Sequence, residues 1–415
     1  MANPAVRFRW GVSKGPVPAT PPAKVPRVSW SRVASFRLWK HHLDPGSPAR
    51  SMEEALEGMA GAQAQLWSAA ALSVGCRAPG LSLAQVEKAI WSEKRLVRAW
   101  CMRRTLHLLP SDDLAVYVRG TAGRAERETD WVLRHGLSPA GLTRLLDAIT
   151  AGLETPATQS ELAQRVSENL GSPVELRRGG GWGSRREVPW VRWEGLAVPA
   201  NYLLHLVGAR EVVCSGPPVG AETTNVLSER WLPRFRDVPR PKAEVELLRR
   251  YLSAFAPATP EDYARWTGLR QRDIGPIWRR VEPELAPVEV DGWQAWVLSE
   301  DLDRLVSGSS TRSVVRLLPL FDSYLLGHED RRHLLPAEHH RRVYRNQGWV
   351  SPVLLIDGRV HGTWSHRQSG SRLRVTLRPF ARLSAPHRRA VGREVEEMRR
   401  FLGASAVETL FEEPK

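Results

Sequence analysis

Three cysteines in 415 residues, Cys76, Cys101 and Cys214, are too few and too scattered for a disulfide framework or a zinc site. A reducing cytosol is the simplest setting. Long apolar runs are absent too. No stretch approaches the roughly eighteen residues of a membrane span, and the N-terminus lacks the apolar segment of a secretory signal. Lysine is scarce: Lys14, Lys24, Lys40, Lys88, Lys94, Lys242 and Lys415 are all there are. Acids are outnumbered, 45 against 60 Lys and Arg, for a formal charge of +15. A GC-rich genome explains arginine over lysine but not the excess of bases over acids. Arginine forks onto phosphate and stacks on bases. A soluble chain this basic prefers a polyanion, and nucleic acid is the default partner. An acidic membrane fits less well, because no basic amphipathic helix with a wide apolar face stands out.

The usual chemical signatures are missing as well. There is no P-loop, Rossmann fingerprint, HExxH or CxxC. "GGGWG" lacks the Lys-Ser/Thr of a phosphate cradle. His328, His333, His339 and His340 match no usual metal spacing and read better as a solvated basic loop that meets DNA. No metal or cofactor is expected. Asp322 and Asp330, near apolar strands and beside Arg331 and Arg332, read as partners of structural ion pairs rather than catalysts.

What is present divides into five stretches. Residues 1–27 are proline-rich, carry Arg7, Arg9, Lys14, Lys24 and Arg27 and no acid, and read as a disordered basic arm. In 28–135, Ser29 or Ser31 can cap a first helix and Ser82 a later one. "CMRRTLHLLP" then alternates like a strand, so helix, helix, helix, strand has the shape of a winged helix. Residues 136–240 resemble a second such unit, with a glycine- and arginine-rich stretch at 177–190 expected to be a mobile loop or wing tip. Residues 241–312 give helix, turn, helix, turn, helix and a hairpin marked by Asp291-Gly292. Residues 313–415 are strand-rich, with another hairpin at Asp357-Gly358, and close on an amphipathic helix. The expected class is α+β: three tandem winged-helix units plus a small C-terminal antiparallel β-barrel.

One stretch resists a purely structural reading. "GAQAQLWSAA" (61–70) opens an apolar helical run, yet begins with Gln63 and Gln65. A buried amide is costly unless hydrogen-bonded. On a helix, residues two apart point in nearly opposite directions; in an extended segment they share a side. Gly58 and Gly61 allow an extended lead-in, so the two amides can converge on one pocket. The alternative is a structural pair that caps or bridges helices. An amide donates and accepts at once, so it can orient a water or touch a sugar, but it is no strong base.

The stretches "GAQAQLWSAAALSVGC…RRTLHLLPSDDL", "LLPLFDSYLLGHEDR" and "PVLLIDGRVHGTW" resemble the AlkZ/YcaQ-like winged-helix DNA glycosylases from about Val28 to the end. The resemblance implies tandem winged helices and a barrel around a DNA channel, and removal of bulky N7-alkylated purines from double-stranded DNA. It extends to unhooking of interstrand crosslinks and to self-resistance in producers of genotoxins. Its catalytic Gln-x-Gln falls on Gln63 and Gln65. Arg103, Thr105, His107, Arg185, Arg186, Arg331 and Arg332 are then expected at the DNA, in a monomeric, cytoplasmic, nucleoid-associated enzyme without a cofactor. The competing readings are a winged-helix regulator, in which Gln271 and Arg272 read bases, and a damage-binding protein without turnover.

Overall fold

The computed structural model describes residues 25–178, 187–220, 222–308 and 313–414. The basic arm lies outside these residues up to Lys24. Its last member does not: Arg27–Val28 is a short strand, parallel to Glu289–Val290, with Arg27 paired to Glu289. Arg27 therefore belongs to a sheet and not to the arm.

Helices begin where side chains can take up their first free N–H groups. Ser29 caps Trp30–Lys40, and Ser82 with Gln85 forms a capping box on Leu83–Trp91. Three helices, Met52–Gly58, Trp67–Gly75 and Leu83–Trp91, surround a three-stranded sheet. Its order is Ala62–Gln63, Leu106–Pro110, Leu96–Trp100. The strand Leu96–Trp100 lies in a stretch that reads as helical in sequence, because its Val97 and Trp100 also fit a helical stripe. Helix Trp30–Lys40 packs elsewhere, Val33 and Phe36 meeting Val288, Val290 and Val297.

The next part has helices Pro139–Gly152 and Gln159–Leu170, a meander of Val174–Arg178, Glu187–Trp193 and Leu196–Pro199, then helix Ala200–Val207 and hairpin Val213–Val219/Glu222–Leu227. Ala157 bridges Asn225 of that hairpin. The same order recurs without the meander in Arg240–Phe255, Pro260–Thr267, Gln271–Val281 and the hairpin Leu285–Val290/Trp293–Leu298, with Ala258 bridging Trp296. Asp291 and Gly292 both have positive φ, 44° and 87°, as a type I′ turn requires.

The C-terminal part is a five-stranded sheet, Val315–Leu318, Val353–Ile356, Arg359–Ser369, Arg372–Pro379 and Ala406–Phe411, backed by helix Ala385–Phe401. Two features correct the expected antiparallel barrel. The order is linear, with Val315–Leu318 and Ala406–Phe411 at its ends, and the last pair is parallel because the long helix carries the chain back across the sheet. One core joins this sheet to the three helices around the glutamine sheet through Met52, Val74, Ile90, Leu354, Val375 and Phe401. A second joins the glutamine sheet to the third helical part through Leu109, Tyr117, Tyr251, Phe255 and Trp266. Among the described residues no helix is long and apolar enough to cross a membrane.

Candidate active site

Gln63 ends a short strand, Ala62–Gln63, Gln65 falls in a bend after it, and the helix starts only at Trp67. Gly61, at φ +85°, makes the entry, and a Cβ there would lie 2.6 Å from Leu109 Cδ2. Gln63 pairs with His107 across the sheet, and the Ala64 N–H donates to the Leu106 carbonyl. Side chains hold the remaining carbonyls. Ser323 Oγ donates to Gly61 O at 2.7 Å, and Arg98 Nε donates to Ala64 O at 3.0 Å. Arg98 also reaches Thr223 Oγ1 at 3.2 Å.

Gln63 is buried, and its Oε1 accepts from Arg103 Nη2 at 3.1 Å. A guanidinium only donates, so the amide oxygen faces Arg103 and the Nε2 donors face away from it. Arg103 is itself fixed: its Nη1 donates to the Trp266 carbonyl, and Gly268 leaves room for its backbone. Arg103 and Arg104 both have positive φ, 55° and 57°. Two successive non-glycine residues in this region store strain that the surrounding contacts must hold. Gln65 Oε1 is buried and accepts no hydrogen bond among the described residues.

Gln63 lines a groove of about 920 Å³. Arg103, Arg104, Arg124, Arg127, Arg265, Arg331 and Arg345 line it too, against Glu261 and Glu329. This crowding of like charge shows in the arginines themselves. Burial, then neighbouring arginines, lowers Arg103 to about 10 and Arg124 to about 9. Burial lowers Arg127 and Arg331 as well. Arg103 and Arg124 stay charged at neutral pH, so the groove holds positive charge that an anion would relieve.

The expected site residues separate. Gln63, Arg103, Thr105 and Arg331 line the groove, Arg331 lying 4.0 Å over the Tyr344 ring. Thr105 Oγ1 donates to the Met102 carbonyl within the turn. His107 is buried behind it, with Nδ1 3.0 Å from the Thr105 carbonyl. Burial, with Arg103 nearby, pushes His107 down to about 3, so it is neutral and no acid at working pH. Arg332 is exposed, pairs with Asp330 and lines a different hollow beside Trp30 and Trp293. Arg185 and Arg186, with the rest of 179–186, lie outside the described residues. Gln271 lines the groove and donates to Glu261, while Arg272 contacts Asp273.

The histidines also part company. Arg37 lies 2.7 Å from His328 Nε2 and 3.0 Å from His333 Nε2, His339 stacks on Phe380, and His340 lines the groove. Asp322 pairs with neither Arg331 nor Arg332. It is fully buried against Arg77, at 2.8 Å to each of two guanidinium nitrogens, and accepts from Ser73 Oγ at 2.9 Å. Arg98, Arg124, Arg127, Arg265 and Arg345 escaped the sequence reading. Arg124 and Arg127 share the helix Gly123–Arg134, the other three lie elsewhere in the chain, and nothing local marks them.

A basic groove with an amide held at its wall suits a protein that binds a polyanion such as DNA. The comparisons narrow that class. A model of the family "DNA glycosylase AlkZ-like" matches residues 56–401. The chain belongs to the AlkZ-like DNA glycosylase family. It is similar to an interstrand DNA cross-link repair glycosylase of Streptomyces sahachiroi, 29% identical over 389 residues, which is 91% of this chain and 98% of that protein. Its fold matches the solved structure of the Streptomyces sahachiroi DNA glycosylase AlkZ with a TM-score of 0.75 at 26% identity, covering 93% of this chain and 100% of that one.

Proposed function

We propose that this glycosylase excises bulky N7-alkylguanine from double-stranded DNA and unhooks interstrand crosslinks. It acts as a cytoplasmic, nucleoid-associated monomer that protects its host from a genotoxic natural product. The observation that carries the reading is the state of the two amides. Gln63 has its oxygen committed to Arg103 and its donors turned away, and Gln65 keeps a buried acceptor without a partner among the described residues.

The chemistry needs little more. Alkylation at N7 puts positive charge on guanine, so the base leaves without protonation and the sugar becomes oxocarbenium-like. Gln65 Oε1 accepts from the attacking water and offers a negative dipole near C1′. Gln63 Nε2 donates to that water or to the deoxyribose. Positioning of this kind is worth several powers of ten in rate, and fixed dipoles add to it. Among the described residues no lysine lines the groove, which supports a monofunctional enzyme without a Schiff-base step. The groove suits an adduct too large to flip into a tight pocket. The three helical parts read as winged helices, each with helix, short bridge, two helices and hairpin, and the groove is lined by the first and third of them and by the C-terminal part. The meander 174–199 is inserted into the second.

The similarity to a cross-link repair glycosylase supports the crosslink substrate. The test is a duplex with one bulky N7-alkyl deoxyguanosine and a second joined by an N7–N7 crosslink. Alkali-labile scission of the first and strand separation of the second on a denaturing gel are expected. Tight binding with neither would return the chain to a non-catalytic role.

A further inference from the structure

A leucine stands where the chain leaves the glutamine segment. Ala62 and Ala64 point into the core, 1% and 0% exposed. Strand alternation would bury Leu66 beside them, yet it is 41% exposed. Sheet bonding ends with Ala64, and the helix starts at Trp67. A single exposed leucine is ordinary; the surroundings of this one are not. Leu66 lines a second hollow of about 610 Å³, walled by Arg341, Arg342, Arg345 and Arg378. Arg345 lines the glutamine groove as well. The two hollows therefore share Arg345, with Gln63 in the wall of one and Leu66 in the wall of the other. A polyanion that follows the arginines into the second hollow meets Leu66 in its wall. An aliphatic tip beside such a track fits one part of DNA, the face of an opened base step.

We propose that Leu66 is a wedge that enters the base stack beside the lesion. By opening that step it turns the lesion's C1′ toward Gln63 and Gln65 without extruding the adduct. The inference rests on the glycosylase reading above. It also deepens it, because an aliphatic wedge reads no base edge, so the step opens whatever the neighbouring base.

The test uses a duplex with 2-aminopurine next to a single N7-methyl deoxyguanosine. Fluorescence, which rises on unstacking, and base release are read separately. Wild-type protein raises the fluorescence. Leu66→Ala, an exposed position outside the core, binds but loses the rise, and at saturating protein its base release slows about tenfold to a hundredfold. Leu66→Met keeps both. The wedge is overturned if wild type gives no rise, or if Leu66→Ala keeps rise and rate. A Leu66-dependent rise without base release would instead sink the glycosylase reading and leave the wedge standing.

Discussion

At the scale of single residues, the decisive contact is between two side chains that the sequence places 40 positions apart, Arg103 and Gln63. Sequence reasoning puts Arg103 on the DNA. The geometry also ties its guanidinium to an amide oxygen and a backbone carbonyl inside the protein, and we propose that its main task is to position Gln63. We expect Arg103→Ala to leave DNA affinity within a few-fold and to cut base release at saturating enzyme about a hundredfold. Arg103→Lys, which loses the fork, restores only part of the rate. The opposite split, weaker binding with an unchanged saturated rate, would make Arg103 a phosphate contact after all. His107 was legible as a neighbour of the motif but not as a neutral one. Its state depends on burial, and burial of a single histidine is not written in its local sequence.

Among elements, the C-terminal signature "LFDSY" serves as a clamp. Asp322 holds Ser73 on the helix that follows the glutamines and Arg77 just past its end, while Ser323 holds the Gly61 carbonyl in front of them. Removing one partner of a fully buried pair leaves the other charge unpaired. Asp322→Ala is therefore expected to cost roughly 3–5 kcal/mol in denaturant unfolding. Asp330→Ala, which breaks an exposed pair with Arg332, should cost less than about 1 kcal/mol. Equal costs would contradict the clamp. What the sequence conveyed about elements was what local chemistry decides. Ser82 announces a helix start, and the Asp-Gly pairs at 291–292 and 357–358 announce hairpins, because each acts within a few residues. The strand Leu96–Trp100 and the foreign packing of helix Trp30–Lys40 were hidden, because both are settled by distant partners. The barrel failed for a similar reason: strand composition does not say whether the last strand returns antiparallel or parallel.

For the whole molecule, net charge pointed to nucleic acid but could not locate the groove, since its arginines come from distant parts of the chain. Their crowding predicts strong salt dependence. Affinity for undamaged duplex should fall about a thousandfold or more between roughly 50 and 200 mM salt. Arg265→Gln and Arg345→Gln should each lower the slope of log affinity against log salt by about one. Unchanged slopes would move the DNA off this face. The central claim is that two neutral amides carry the chemistry, and single-turnover base release tests it most directly. An N7-alkyl deoxyguanosine duplex would be incubated with wild type, Gln63→Ala and Gln65→Ala, each at saturating protein with binding measured separately. The account predicts release by wild type and a loss of about a hundredfold or more in both variants with binding retained. Variants that bind and release base at the wild-type rate would make both glutamines structural and contradict it.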